Sequence, residues 1–84
     1  MLTNKRILVT GACGTIGKEL VTQLVESKAI GELVALDNNE SQLFLLEERF
    51  SKHPEAAFFL ADVMDRDKLA RKMLGIDLVF HTAA

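Results

Sequence analysis

Four short, unbroken apolar runs punctuate the chain: Ile7-Leu8-Val9, Leu33-Val34-Ala35-Leu36, Ala57-Phe58-Phe59-Leu60-Ala61 and Leu78-Val79-Phe80. Their length predicts strands. Their lack of polar alternation predicts a parallel sheet covered on both faces, where neither side of a strand meets water. Parallel strands need crossovers, so helices are expected between them. Between the first two runs, Ile16, Leu20, Val21, Leu24 and Val25 form one apolar stripe at helical spacing, with Gly31 placed to end that helix. Between the second and third, Leu43, Leu46 and Phe50 share a face, Asn38 or Asn39 is placed to cap the start, and Pro54 lies beyond the end. The run Leu43-Phe44-Leu45-Leu46 would also suit a strand. Glu40, Gln42, Glu47, Glu48 and Arg49 around it are good helix formers, and the segment, about twelve residues long, exceeds a typical strand. Asp65 is placed to cap a third, shorter helix carrying Leu69, Met73 and Leu74, with Gly75 at its close. The chain therefore predicts the order β-α-β-α-β-α-β, an α/β fold.

Composition narrows this picture. Eighty-four residues, 49% hydrophobic and 26% charged, suit one small domain with no room for a second. Ten Lys and Arg against twelve Asp and Glu, scattered without a basic block, argue against nucleic acid as a partner. No apolar run approaches the ~18 residues of a membrane span, and the start Met1-Leu2-Thr3-Asn4-Lys5-Arg6 lacks the apolar stretch of a signal peptide. The single cysteine, Cys13, excludes an internal disulfide and, without clustered histidines, a zinc site; a reducing, cytoplasmic setting is expected. There is no Tyr and no Trp.

The candidate chemistry lies directly after the first strand, in Gly11-Ala12-Cys13-Gly14-Thr15-Ile16-Gly17. A side chain at the first glycine would obstruct the turn out of the strand, and one at the second would hold the backbone away from a pyrophosphate. The third glycine lets the following helix pack closely on the sheet. That helix would present its free N–H groups and positive dipole end to phosphates. Asp37 follows Gly17 by 20 residues at the end of the second strand, placed to accept both hydroxyls of an adenosine ribose and to repel a 2′-phosphate. Asn38, Asn39 and Glu40 follow it rather than an arginine, so NAD is favoured over NADP. Asp62-Val63, after the third strand, is placed to meet the adenine. Small residues after the fourth strand, Ala83 and Ala84, would let a dinucleotide lie close to the backbone. The pattern thus predicts a Rossmann-like half domain, four parallel strands in the order 3-2-1-4 with helices on both faces. The expected cofactor contacts are Gly11, Cys13, Gly14, Thr15, Ile16, Gly17, Asp37, Asn38, Asp62, Val63, Ala83 and Ala84. No metal site is expected. Cys13 reads as a small loop residue rather than a reactive thiol, and His81 as a strand-end histidine without a catalytic partner.

These residues resemble the N-terminal part of extended short-chain dehydrogenase/reductases: Thr10-Gly11 with Gly14 and Gly17, Leu36-Asp37, Asp62-Val63, and Val79-Phe80-His81-Thr82-Ala83-Ala84. Within that superfamily, Ala35 to Leu43, Ala61 to Arg66 and Ile76 to His81 are similar to the nucleotide-sugar 4,6-dehydratases of polysaccharide biosynthesis that act on UDP-N-acetylglucosamine. The resemblance implies a lyase reaction in which NAD takes a hydride from C4 of the sugar, water leaves across C5 and C6, and the hydride returns to C6. It implies that Gly11, Gly14 and Gly17 hold the pyrophosphate, Asp37 the ribose and Asp62 the adenine, while Ala83 and Ala84 line the cofactor channel. Residues 1–84 then correspond to the N-terminal part of an NAD(P)-binding domain. The catalytic Tyr-x-x-x-Lys segment and the sugar-nucleotide segment are absent, so this chain alone is expected to be inactive. A nucleotide-sugar 4-epimerase and a stand-alone dinucleotide-binding regulatory module are the alternatives. With the sheet open beyond the fourth strand, self-association through that edge is expected.

Overall fold

The computed structural model describes residues 4–62 and 64–82. The elements follow the predicted order: β1 (Arg6–Thr10), α1 (Thr15–Ser27), β2 (Glu32–Asp37), α2 (Glu40–Arg49), β3 (Ala56–Leu60), α3 (Arg66–Met73) and β4 (Leu78–His81). All strands are parallel and lie in the order β3-β2-β1-β4. This is the Rossmann-like arrangement that the pattern predicts.

Handedness decides where the helices go. The chain moves in one direction across the sheet from β1 to β2 to β3, so right-handed crossovers put α1 and α2 on the same face. The step from β3 to β4 runs back past β1, which puts α3 on the other. The core divides accordingly. On one face Ile7, Val9, Leu33 and Ala35 meet Val21, Leu24, Val25, Leu46 and Phe50; on the other Leu8, Val34 and Leu36 meet Leu69 and Ile76. β1 and β2 are therefore buried from both sides, and each large side chain fully withdrawn from water there contributes roughly 1.5–3 kcal/mol.

The outer strands differ from the expectation of a sheet covered throughout. β3 is only partly buried, and on β4 Leu78 and Val79 are 38% and 43% exposed. The outer edge of β4 pairs with no strand among the described residues, the geometry from which the expectation of self-association starts.

Helix ends follow local chemistry with one correction. Asn39 caps α2 by accepting from the Gln42 amide at 3.1 Å, and Asp65 caps α3 by accepting from the Lys68 amide at 3.2 Å. Gly75, with φ +76°, follows α3 in the left-handed region. Gly31, in contrast, does not end α1. That helix stops at Ser27 with Lys28 in the left-handed conformation, φ 57°. Gly31 is instead where two backbones touch: a Cβ there would stand 2.8 Å from the Asn4 carbonyl oxygen, and its amide donates to the Lys5 carbonyl at 2.9 Å. The helical stripe is also shorter than predicted, since Ile16 is 73% exposed. It lies on the first turn of α1, beside the glycine loop and outside the core. Met73 and Leu74 of the third stripe are exposed as well.

Candidate functional site

At the C-terminal edge of the sheet, β1 runs into the glycine loop. Gly11 takes φ +70°, a conformation that costs other residues about 1 kcal/mol or more. The turn lays the loop across the end of β2: the Ala12 amide donates to the Leu36 carbonyl at 3.1 Å, and the Cys13 amide to Asp37 Oδ2 at 2.9 Å. The second Asp37 oxygen, Oδ1, accepts from the Asn39 amide at 2.9 Å. The acid and the loop are thus one hydrogen-bonded unit. Each carboxylate oxygen accepts one bond here and keeps capacity for another.

The three glycines serve different ends. Gly17 is buried, and a Cβ there would overlap the Gly11 carbonyl oxygen and stand 2.7 Å from Thr82 Oγ1, so the fold itself requires glycine. Gly14 is exposed and has φ −72°; a Cβ there would meet only the Gly11 oxygen, at an ordinary 3.4 Å. Nothing in the protein's own packing explains that glycine. Gly14 is also the N-cap of α1 and offers no side-chain cap, whereas α2 and α3 have Asn39 and Asp65. The first α1 bond described runs from the Lys18 amide to the Gly14 carbonyl at 2.8 Å. Among the described residues, no group accepts from the amides of Thr15, Ile16 or Gly17. A bare helix N-terminus therefore faces open space behind a glycine, the arrangement that binds phosphate oxygens.

The β4 end closes the other side. The Thr82 amide donates to the Thr10 carbonyl at 3.1 Å, and the Thr82 hydroxyl lies 2.6 Å from the same oxygen and 3.1 Å from the Gly11 carbonyl. Thr10 is 2% exposed, and its Oγ1 lies 2.6 Å from His81 Nδ1. Sequence reasoning did not single out the Thr10 and Thr82 hydroxyls. The signal was available in the strand order, since pairing Thr10 with His81 sets Thr82 opposite Gly11.

The structure brings Gly11, Cys13, Gly14, Thr15, Ile16, Gly17 and Asp37 together around this edge. Asn38 is exposed beside Asp37. Asp62 is exposed after β3, its Oδ1 accepting from the Met64 amide at 2.9 Å. Val63, Ala83 and Ala84 lie outside the described residues. Beside the loop, Cys13, Thr15, Lys18, Glu19, Thr22 and Arg49 line a cavity of about 240 Å³. A larger one, about 290 Å³, lies at the opposite edge of the sheet around Phe50, His53 and Phe58, away from the loop. Among the described residues no cluster of His, Cys, Asp and Glu could hold a metal ion, and no helix is long and apolar enough to cross a membrane.

The Cys13 thiol is pushed up to about 11 from an ordinary 9.0, first by burial and then by the Asp37 carboxylate, with Lys18 pulling the other way. Burial and the Asp37 charge both disfavour the reactive thiolate at neutral pH. Alkylation by iodoacetamide at pH 8 is expected to be slower in the folded chain than in urea, by about tenfold or more. Equal rates would show that Cys13 is neither buried nor beside Asp37. Because unfolding releases a thiol of ordinary pKa, this group favours the fold below pH 9, and its contribution is lost as pH rises from 9 toward 11.

The sequence signature of the polysaccharide biosynthesis protein family matches residues 7–84. An uncharacterized membrane protein of Methanocaldococcus jannaschii is 42% identical over 81 residues, which are 96% of this chain and 24% of that protein. The inverting UDP-N-acetylglucosamine 4,6-dehydratase of Campylobacter jejuni is 31% identical over 84 residues, all of this chain and 25% of the enzyme. Among solved structures, Pen from Bacillus thuringiensis matches all of this chain and 26% of its own, with a TM-score of 0.92 at 28% identity. A UDP-glucose 4-epimerase from Stenotrophomonas maltophila with bound NAD matches 95% of this chain and 24% of its own, with a TM-score of 0.73 at 29% identity. The chain spans about a quarter of the length of these proteins.

Proposed function

The chain belongs to the polysaccharide biosynthesis protein family, and we propose that it is the NAD-binding portion of a nucleotide-sugar 4,6-dehydratase acting on UDP-N-acetylglucosamine. The observation that carries the cofactor reading is Gly14. It is a glycine that the fold does not need, at an uncapped helix N-terminus, tied through Cys13 to a carboxylate 20 residues past Gly17. Phosphate oxygens suit the free amides of the first turn, and ribose hydroxyls suit the acceptor capacity left on Asp37. The residues present therefore fit the dinucleotide.

When bound, NAD supplies a hydride acceptor and donor for the sugar. This chain's own residues do the holding. Gly11 and Gly14 keep the backbone open to a pyrophosphate, Thr15, Ile16 and Gly17 offer amide donors, and Asp37 takes the adenosine ribose. Asp62, exposed on the same edge, is assigned to the adenine. The negative charge of Asp37, fixed in place by the Cys13 and Asn39 amides, disfavours a 2′-phosphate and so selects NAD over NADP. The dehydratase assignment draws on the Campylobacter jejuni enzyme, which aligns along the whole chain. The epimerase structure with bound NAD favours the second reading, a nucleotide-sugar 4-epimerase portion, through the same cofactor site.

Calorimetric titration with NAD and NADP tests the reading. Saturable NAD binding is expected, with NADP weaker, and Asp37→Ala is expected to lower NAD affinity by about ten- to a hundredfold, since each hydrogen bond to a charged group contributes roughly 1.5–3 kcal/mol. No heat with either nucleotide, from a chain that circular dichroism shows to be folded, would overturn it.

A further inference from the structure

We infer that Thr82 is a positioning residue for dinucleotide binding: its hydroxyl holds the Gly11 carbonyl, and through it the pyrophosphate loop, from the end of β4. The inference rests on the cofactor reading above. Thr82 Oγ1 lies 2.6 Å from the Thr10 carbonyl and 3.1 Å from the Gly11 carbonyl, so its single proton is shared between two oxygens. Those oxygens bracket the point where the chain leaves β1 and turns with φ +70° at Gly11.

The Gly11 carbonyl is the pivot of the loop. It accepts the Gly14 amide at 3.1 Å from within the loop and faces the Thr82 hydroxyl from outside it. Gly17 is packed against the same oxygen, where a Cβ would overlap it. All three glycines therefore meet around one carbonyl, and the only side chain described as donating to it belongs to Thr82. Pairing of β4 to β1 sets Thr82 opposite Gly11 but does not call for its hydroxyl, because the register from Ile7↔Leu78 to Thr10↔His81 and the Thr82 amide bond to Thr10 are made by backbone alone. The hydroxyl adds an orientation to the loop. A pyrophosphate that reads the loop amides depends on that orientation directly, whereas an adenosine held by Asp37 depends on it only through the Cys13 amide, Asp37 Oδ1 being held separately by the Asn39 amide.

Thr82→Val keeps the shape and removes the donor, and Thr82→Ser restores it. For Thr82→Val, affinity for NAD and for ADP-ribose is expected to fall about tenfold, with adenosine affinity falling by less than about threefold and the serine variant within about twofold of the parent, the range set by one lost hydrogen bond. Amide exchange at Gly14 is expected to speed up in the valine variant and recover in the serine one. NAD affinity equal in Thr82→Val and the parent would overturn the inference. So would an equal loss for adenosine and NAD, which would mark a general structural role. If the parent binds neither NAD nor adenosine, the cofactor reading fails separately; the exchange rate then decides, and an unchanged Gly14 rate in Thr82→Val overturns the positioning role.

Discussion

Gly17→Ala is expected to lower the melting temperature by about 12 °C or more and to abolish dinucleotide binding, while Gly14→Ala melts within about 3 °C of the parent yet binds poorly. The contrast follows from what each new methyl group meets. At Gly17 it would overlap the Gly11 carbonyl and press on Thr82 Oγ1, backbone and half-buried hydroxyl, neither of which can swing aside as a flexible side-chain end would. Relief requires α1 to move off the sheet or the loop to reopen, and overpacking of that kind costs about 3 kcal/mol at the upper end of its usual range. At ~4 °C or more per kcal/mol for a domain of this size, the shift is large. At Gly14 the methyl group has ordinary contact distance and an ordinary φ of −72°, so the small loss at the cap is offset by reduced freedom of the unfolded chain. The methyl group then projects where a phosphate would approach. Thermal melts and NAD titrations of the two variants separate these roles. A Gly17→Ala chain that melts like the parent would show that the loop yields, and a Gly14→Ala chain that binds NAD normally would remove the observation on which the cofactor reading stands.

The order of the glycines in the motif already separates the two roles, Gly14 toward a pyrophosphate and Gly17 toward close packing, but the atoms that each would meet, the Gly11 carbonyl and Thr82 Oγ1, mark where sequence reasoning runs out. Strands, helices and the sheet order were legible because each depends on a short local pattern plus the handedness of crossovers: Ile7-Leu8-Val9 is a buried run wherever it sits, and Asp37 is 20 residues from Gly17 in any register. Close approaches between distant segments were not. Gly31 has the signature of a helix stop, but it is glycine because Asn4 lies against it, and α1 ends on Lys28 instead. Ile16 fits the helical period of Leu20 and Leu24 and still misses the core, because the first turn of α1 stands beyond the edge of the sheet. Leu78-Val79-Phe80 is as apolar as the β1 run, yet only position in the sheet makes one strand buried and the other half open. The Thr82 contact belongs to the same class, since it joins residues 71 and 72 positions apart.

That positional asymmetry sets up the second large effect. Ile7 is flanked in register by Leu33 on β2 and by Leu78 on β4, so two leucines with the same chemistry stand at equivalent positions on opposite sides of one buried residue. Leu33 is fully buried, within the cluster formed by α1, α2 and the sheet; Leu78 is 38% exposed. Leu33→Ala removes buried methyl groups and leaves a void that strands hydrogen-bonded on both sides cannot close, a loss of about 2–5 kcal/mol. Net stability for a chain of this length is roughly 4–13 kcal/mol. The substitution is therefore expected to remove about two-fifths of it at the middle of both ranges, shifting the urea midpoint strongly at constant slope. Leu78→Ala leaves a position that water and neighbouring side chains already reach, and is expected to cost less than about 1.5 kcal/mol. Equal costs would mean that β4 carries as much of the core as β2, and that the open edge is closed in solution. The expected inequality would locate the stability of the fold in β1 and β2, the same two strands whose ends hold the glycine loop and Asp37, so that the Leu33→Ala chain loses its nucleotide site at the urea concentration where it loses its core.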